Sequence, residues 1–151
     1  MNEKKLNQEI LKALMEDGRK SIRKVARELD VSPSTVSSHL EGMLEEGLVK
    51  RFKPAVDYEK LGFDLTAITK IQAKGREITD IVERLKDEGS LTHVYEITGE
   101  FDILVIGKFD SRESMNREIK RMLNFSAIER ADTSIVLNVV KEDSNLDLEG
   151  K

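Results

Sequence analysis

The feature that most constrains this chain is a pair of short helical stripes set only a few residues apart, each with its own start signal. Ile22, Val25, Ala26 and Leu29 recur at i, i+3, i+4 and i+7, the spacing that lines one face of an α-helix. Ser21 precedes them, where a hydroxyl can accept an orphan amide hydrogen of a helix N-terminus. Beyond Asp30, Ser32-Pro33 opens another helix: Ser can cap it, and Pro at the first helical position forfeits no internal bond. Val36, Leu40, Met43 and Leu44 form its stripe, and Gly47 suits its end. Two short helices across so tight a turn fit a helix-turn-helix. Small Ala26 lets them approach closely, and Asp30 occupies a turn position where left-handed backbone is common and Asp tolerates it. An earlier stripe of Leu6, Ile10, Ala13 and Leu14 adds a third helix, predicted to end at Asp17-Gly18 with Gly18 as a left-handed cap.

Charge supports a nucleic-acid partner locally although not overall. The 151 residues carry a net charge of −4. Residues 1–53 hold eleven Lys/Arg against nine Asp/Glu, while residues 54–151 hold fourteen against twenty. Arg19, Lys20, Arg23, Lys24 and Arg27 fall in a stretch without a single acid. With the Val36/Leu40/Met43/Leu44 stripe turned inward, Ser34, Thr35, Ser38 and Gly42 point away from the core, flanked by Ser37 and His39. Such hydroxyls can donate to or accept from base edges in a major groove. That helix has no Lys or Arg and carries Glu41, Glu45 and Glu46, so phosphate attraction must come from Arg19, Arg23 and the rest of the 19–27 cluster, and from Lys50, Arg51 and Lys53. A helical hairpin used only for packing would show the same apolar spacing.

The remainder reads as an α+β unit. Leu48-Val49 and Ala55-Val56 are expected as short strands around a basic turn at Arg51–Pro54, which would make the helix-turn-helix winged rather than simple, with a connector over Asp57–Phe63. Leu65–Ala73 is a β-branched, loosely alternating strand, and Ile78, Ile81, Val82 and Leu85 mark a helix. Strands follow at Leu91–Ile97 and Phe101–Phe109, joined through Thr98-Gly99-Glu100. Met115, Ile119, Met122 and Leu123 give a helix that Ser111 can cap, and Ile128–Val140 closes as a strand. The order β-α-β-β-α-β is the ferredoxin-like split pattern, with helices on one sheet face. Apolar Ile97, Leu104 and Val136 suggest that a partner chain covers part of the other. The expected organisation is a helix-turn-helix domain over 1–53, a hinge over 54–64, a regulatory domain over 65–141, and an acidic tail over 142–151 that Leu146 and Leu148 could dock.

Several classes are disfavoured. There is no cysteine, hence no disulfide, thiolate zinc site or cysteine nucleophile. His39 and His93 have no ligand at metal-binding spacing, and no nucleophile elbow, P-loop or dinucleotide fingerprint occurs. The expectation is a non-enzyme with no catalytic residue, metal or cofactor. The polar opening MNEKKLNQEI and the lack of a ~20-residue apolar run predict a cytoplasmic chain without membrane association.

The stretch DGRKSIRKVARELDVSPSTVSSHLEGMLEEGLVKRFKPAVDYEKLGF resembles the helix-turn-helix and linker of the Lrp/AsnC, or feast/famine, transcription regulators. VYEITGEFDILVIGKF and ERADTSIVLNVVKE resemble strands of that family's regulatory RAM domain, most specifically through V-Y-E-x-T-G-x-[FY]-D at Val94–Asp102. The resemblance implies a dimer formed through the sheets, assembling further to tetramers or octamers. It also implies a double-stranded DNA partner and a free amino acid as effector. The family's effector motif falls on Gly99 and Asp102, with Thr98 and Thr133 at neighbouring positions. A carboxylate can pair with an α-ammonium, while Gly amides and Thr hydroxyls can hold an α-carboxylate. The same Gly99 and Asp102 could instead simply build the turn. Two departures stand out: Ser37 and Ser38 replace the Lys or Arg usual in the recognition helix, and Ala131 replaces a Thr or Ser. Beside the effector-controlled regulator, a ligand-independent DNA-organising protein and a metabolite-sensing module without DNA remain open.

Overall fold

A computed structural model describes residues 2–143, 145 and 148. The chain divides into two compact units, Met1–Ala55 with Lys141–Lys151, and Val56–Val140.

The first unit holds α1 (Glu3–Glu16), α2 (Ile22–Glu28) and α3 (Pro33–Glu45). Each begins on a side-chain cap: Asn2 accepts from the Lys4 amide, Ser21 from Lys24 and Ser32 from Thr35. Leu6, Ile10, Ala13, Val25, Ala26, Val36 and Met43 form the core, so the inward stripes are those read from spacing, except that Leu44, placed in the α3 stripe, is 41% exposed. Asp30 is left-handed at φ 54°, as is Gly47 at 73° beyond α3. Gly18 is not: α1 ends on extended Asp17, whose amide bonds the Ala13 carbonyl and whose carboxylate accepts from the Arg19 amide at 2.9 Å. The wing strands are also absent among the described residues. Leu48-Val49 and Ala55-Val56 carry no ladder, and a single 3₁₀ turn, Glu59–Leu61, precedes the sheet. Of the two leucines proposed to dock the tail, Leu148 is half-buried in a groove with Lys4, Lys5 and Lys12 of α1, and Leu146 lies outside the described residues.

The second unit is β1 (Leu65–Ala73), α4 (Ile78–Leu85), β2 (Leu91–Glu96), β3 (Ile103–Phe109), α5 (Arg112–Met122) and β4 (Ile128–Ile135). The antiparallel sheet has the order β2-β3-β1-β4, the ferredoxin-like arrangement. Alternation sorts β1 and β3 into two faces. Ala67, Ile71, Ala73, Ile103, Val105 and Phe109 are buried with Ile81, Leu85, Met115, Ile119 and Met122 of the helices. On the opposite face Ile68, Leu104 and Ile106 are only half-buried. Gly107 is needed where it stands, since a Cβ would lie 2.7 Å from the Phe109 ring. Three strands are shorter than expected: β2 ends one residue early at Glu96, and β3 and β4 lose more. β3 starts at Ile103, although the Asp102 backbone still bonds Ile71 and Ile97 while its side chain takes the Ala73 amide. β4 stops at Ile135 because β1 runs out: the Val136 amide reaches the Thr66 carbonyl at 2.8 Å, one residue from the end of β1.

Candidate nucleic-acid interface and effector site

The helix-turn-helix face is built from the cap of α3 outward. Ser32 Oγ accepts from the Thr35 amide at 3.1 Å and lies 2.8 Å from both Ser34 Oγ and Thr35 Oγ1. The hydroxyls at the start of α3 thus form one cluster, with Ser34 exposed and Thr35 half-buried. Ser38, one turn on, is exposed, while Ser37 donates to Glu41 Oε1 at 3.1 Å. His39 is half-buried, and its Nδ1 lies 2.6 Å from Asn7 Oδ1 of α1. Its ring is therefore turned to the helix behind rather than outward with Ser34 and Ser38.

The cations split into two groups. Arg19, Arg23, Arg27 and Lys50 are exposed and form no ion pair with the described residues. Lys20 is tied down: its side chain is 9% exposed, with Nζ 2.6 Å from Glu16 and 3.1 Å from Glu28. The hydrogen bonds that Lys20 donates to Glu16 and Glu28 raise its pKa, and the one to Glu16 lowers the pKa of that carboxyl. Lys20 is a clamp between α1 and α2, which composition alone could not separate from its neighbours.

In the sheet unit, Asp102 is the best-anchored of the proposed effector residues. Its Oδ2 accepts from the Ala73 amide at 2.8 Å, its own amide donates to the Ile71 carbonyl at 3.0 Å, and its carbonyl accepts from the Ile97 amide at 2.8 Å. The carboxylate replaces the backbone acceptor that β3 no longer offers to the last residue of β1. An acid after Phe101 therefore has a clear structural purpose. Gly99 is left-handed at φ 119°, and Thr98 is exposed beside it. Thr133 is not brought to this turn. Its Oγ1 lies 3.0 Å from Thr69 Oγ1, and Thr69 is four residues before Ala73 on β1, roughly 13 Å along an extended strand. Around the turn, Arg130 bonds Glu100 at 2.8 Å, and Lys70 and Arg130 lie 4.7 and 5.3 Å from the centre of the buried Phe101 ring. No group of three His, Asp or Glu suited to a metal occurs among the described residues, and no helix there is long and apolar enough to cross a membrane.

Comparison with known proteins covers both units. The family model of the Lrp/AsnC ligand binding domain matches residues 66–146, and that of a winged helix-turn-helix DNA-binding domain matches residues 4–50. A Pyrococcus horikoshii protein described as an uncharacterized HTH-type transcriptional regulator is 39% identical over 142 residues, spanning 94% of this chain and 96% of that one. The HTH-type transcriptional regulator FL11 of Pyrococcus furiosus is 26% identical over 141 residues, 93% of each chain. Among solved structures, E. coli AsnC gives a TM-score of 0.84 at 24% identity, covering 91% of this chain and 94% of that one. A transcriptional regulator of Neisseria meningitidis in complex with L-Met gives 0.89 at 21% identity, covering 96% of each. At such identities these two structures speak for the fold.

Proposed function

This chain belongs to the Lrp/AsnC family of transcriptional regulators, and from that premise we propose that it reads specific double-stranded DNA through α3 and answers to a free amino acid. It is a regulator and not an enzyme. The observation that carries the DNA reading is the split among cations. Arg19, Arg23 and Lys50 are exposed and form no ion pair among the described residues, so they can neutralise phosphates, while Ser34, Thr35 and Ser38 occupy the N-terminal half of α3. Ser37 belongs to the same face but would have to leave Glu41 to reach a base. Arg23→Ala should weaken binding to every sequence and flatten the salt slope by about one unit, whereas Ser38→Ala should alter base preference. Unchanged footprints for both variants would place the interface elsewhere.

The effector reading rests on the turn of Thr98, Gly99 and Asp102. One carboxylate oxygen of Asp102 is occupied by the Ala73 amide, which leaves the other for an α-ammonium. Thr133 could join that site only from a second copy of the chain. The Neisseria relative bound to L-Met makes an amino acid the first class to try. A melting-temperature screen of the proteinogenic amino acids is the test: at about 100 times its Kd, a true effector stabilises by roughly 2.7 kcal/mol. No shift with any of them would remove the effector.

One observation favours a second reading, a ligand-independent DNA-organising protein. The helix proposed to read bases has no Lys or Arg, and three of its hydroxyls already hold internal partners. Binding that depends steeply on salt and hardly on sequence would decide for it.

A further inference from the structure

We propose that His39 is a positioning residue: through Asn7 it sets the rotation of α3 about its own axis, and hence which hydroxyls face DNA. The inference rests on the DNA reading above.

The core to which α1 and α3 contribute is apolar, with Leu6 and Ile10 from one and Val36 and Met43 from the other. Burying the apolar stripe sets which side of α3 faces the core, but non-directional contact defines its fine rotation less sharply than a directional bond does. Asn7 and His39 lie at the edge of that core, and their 2.6 Å contact is directional. An amide oxygen can only accept, so Nδ1 carries the proton and donates to Asn7. A cavity of about 110 Å³ opens beside them, lined also by Ser38, Gly42, Glu3 and Glu46. Its walls leave room for α3 to turn if the bond is lost. Ser38 adjoins His39 in the chain, so any rotation reaches the reading face at once. A helix with side chains is about 10–12 Å across, so a turn of about 20° moves a side-chain tip by roughly 2 Å. That displacement is enough to break a hydrogen bond to a base edge.

The test uses the full chain and random-sequence duplex DNA, selected in parallel by the wild type and by variants checked for folding by circular dichroism. The readout is discrimination between the best sequence and its one-base mismatches. A role in mere stability would leave that ratio unmoved. His39→Ala and Asn7→Ala should each lower it by about fivefold, the worth of one ordinary hydrogen bond. The double variant should be no worse than either alone. His39→Asn should retain discrimination, because its amide nitrogen sits where Nδ1 does, and Asn7→Asp should retain it because it still accepts. Unchanged discrimination in both alanine variants, or failure of both conservative variants, would overturn the positioning role while leaving DNA reading intact. If the wild type enriches no sequence at all, the DNA reading falls and this inference with it.

Discussion

Asp102 holds a turn together and is also the proposed ammonium partner, and substitution can separate the two roles. Its carboxylate satisfies the Ala73 amide, and Ala73 is buried, so removing the acceptor orphans a donor away from water. Asp102→Ala should therefore destabilise the chain by about 1–3 kcal/mol, while Asp102→Asn, which can still accept, should cost much less. If the carboxylate also holds an α-ammonium, Asn should lose at least ~1.5 kcal/mol of effector affinity with the melting point nearly kept. Denaturant unfolding and calorimetry on both variants separate the two roles. Equal affinity for wild type and Asn would make the acid a turn residue alone. Lys20 adds a pH signature. Glu16 has its pKa lowered from 4.5, so its contribution is present above that value and disappears as pH falls through the lowered one. Lys20 is raised from 10.5, so its contribution is complete below that value and is lost as pH rises through the raised one. The clamp is intact between these limits, and Lys20→Met should remove this part of the acid sensitivity in melts followed by circular dichroism.

Among the elements, α3 is the one whose own sequence is most constrained by its ends. Ser32→Ala should cost about 1 kcal/mol of stability through the lost cap, and it should also free Ser34 and Thr35 from their shared cluster. Gly42 lies inside α3, where Gly is poorer than Ala by roughly 0.5–1 kcal/mol. A Cβ there would meet nothing within 4 Å. Gly42→Ala should raise the melting temperature, and a simultaneous loss of DNA affinity would show that Gly is kept for close approach to the duplex. The caps and apolar stripes of this unit were legible because they are local: Ser21, Ser32-Pro33 and Val36 through Met43 each act within a turn or two. Strands were legible as far as they had partners. Val136–Val140 and Leu48-Val49 have strand-forming residues, but a strand exists only where another offers a ladder, and β1 ends at Leu65. What the sequence hid were links across distance: Asn7 with His39, Lys20 with Glu28, and Asp102 with Ala73. Each joins residues whose pairing depends on how the elements pack, and nothing in residue type or spacing distinguishes them from solvated neighbours.

At the scale of the whole molecule, the decisive fact is that the helices of the sheet unit, α4 and α5, pack on one face of its sheet among the described residues. Its other face presents Ile68, Leu104 and Ile106 half-buried and Tyr95 48% exposed, with the His93 and Tyr95 rings 5.6 Å apart. Beyond β4, Leu137 is 99% and Val140 90% exposed. An exposed apolar patch of this kind often marks a surface that another chain covers. The charges there include Lys70, Lys108, Arg130 and Asp132, of which Lys70 and Asp132 pair at 3.4 Å. A second copy of the same face is the simplest cover, since a two-fold interface needs only self-complementarity. Light scattering on the full chain at micromolar concentration should give twice the monomer mass or an even multiple of it. Ile106→Glu places a charge near the middle of this surface, opposite Ile68 and beside His93. Ile106 is half-buried in the single chain, so the variant should keep its circular dichroism spectrum while an interface that buried the charge would pay heavily for its desolvation. The variant should then scatter as a monomer and lose the paired half-site footprint, spaced ~34 Å or a multiple of it, that a dimer would give on DNA. A wild type that is itself monomeric, or a variant that stays dimeric with the same footprint, would show that this face is not the one that joins the copies.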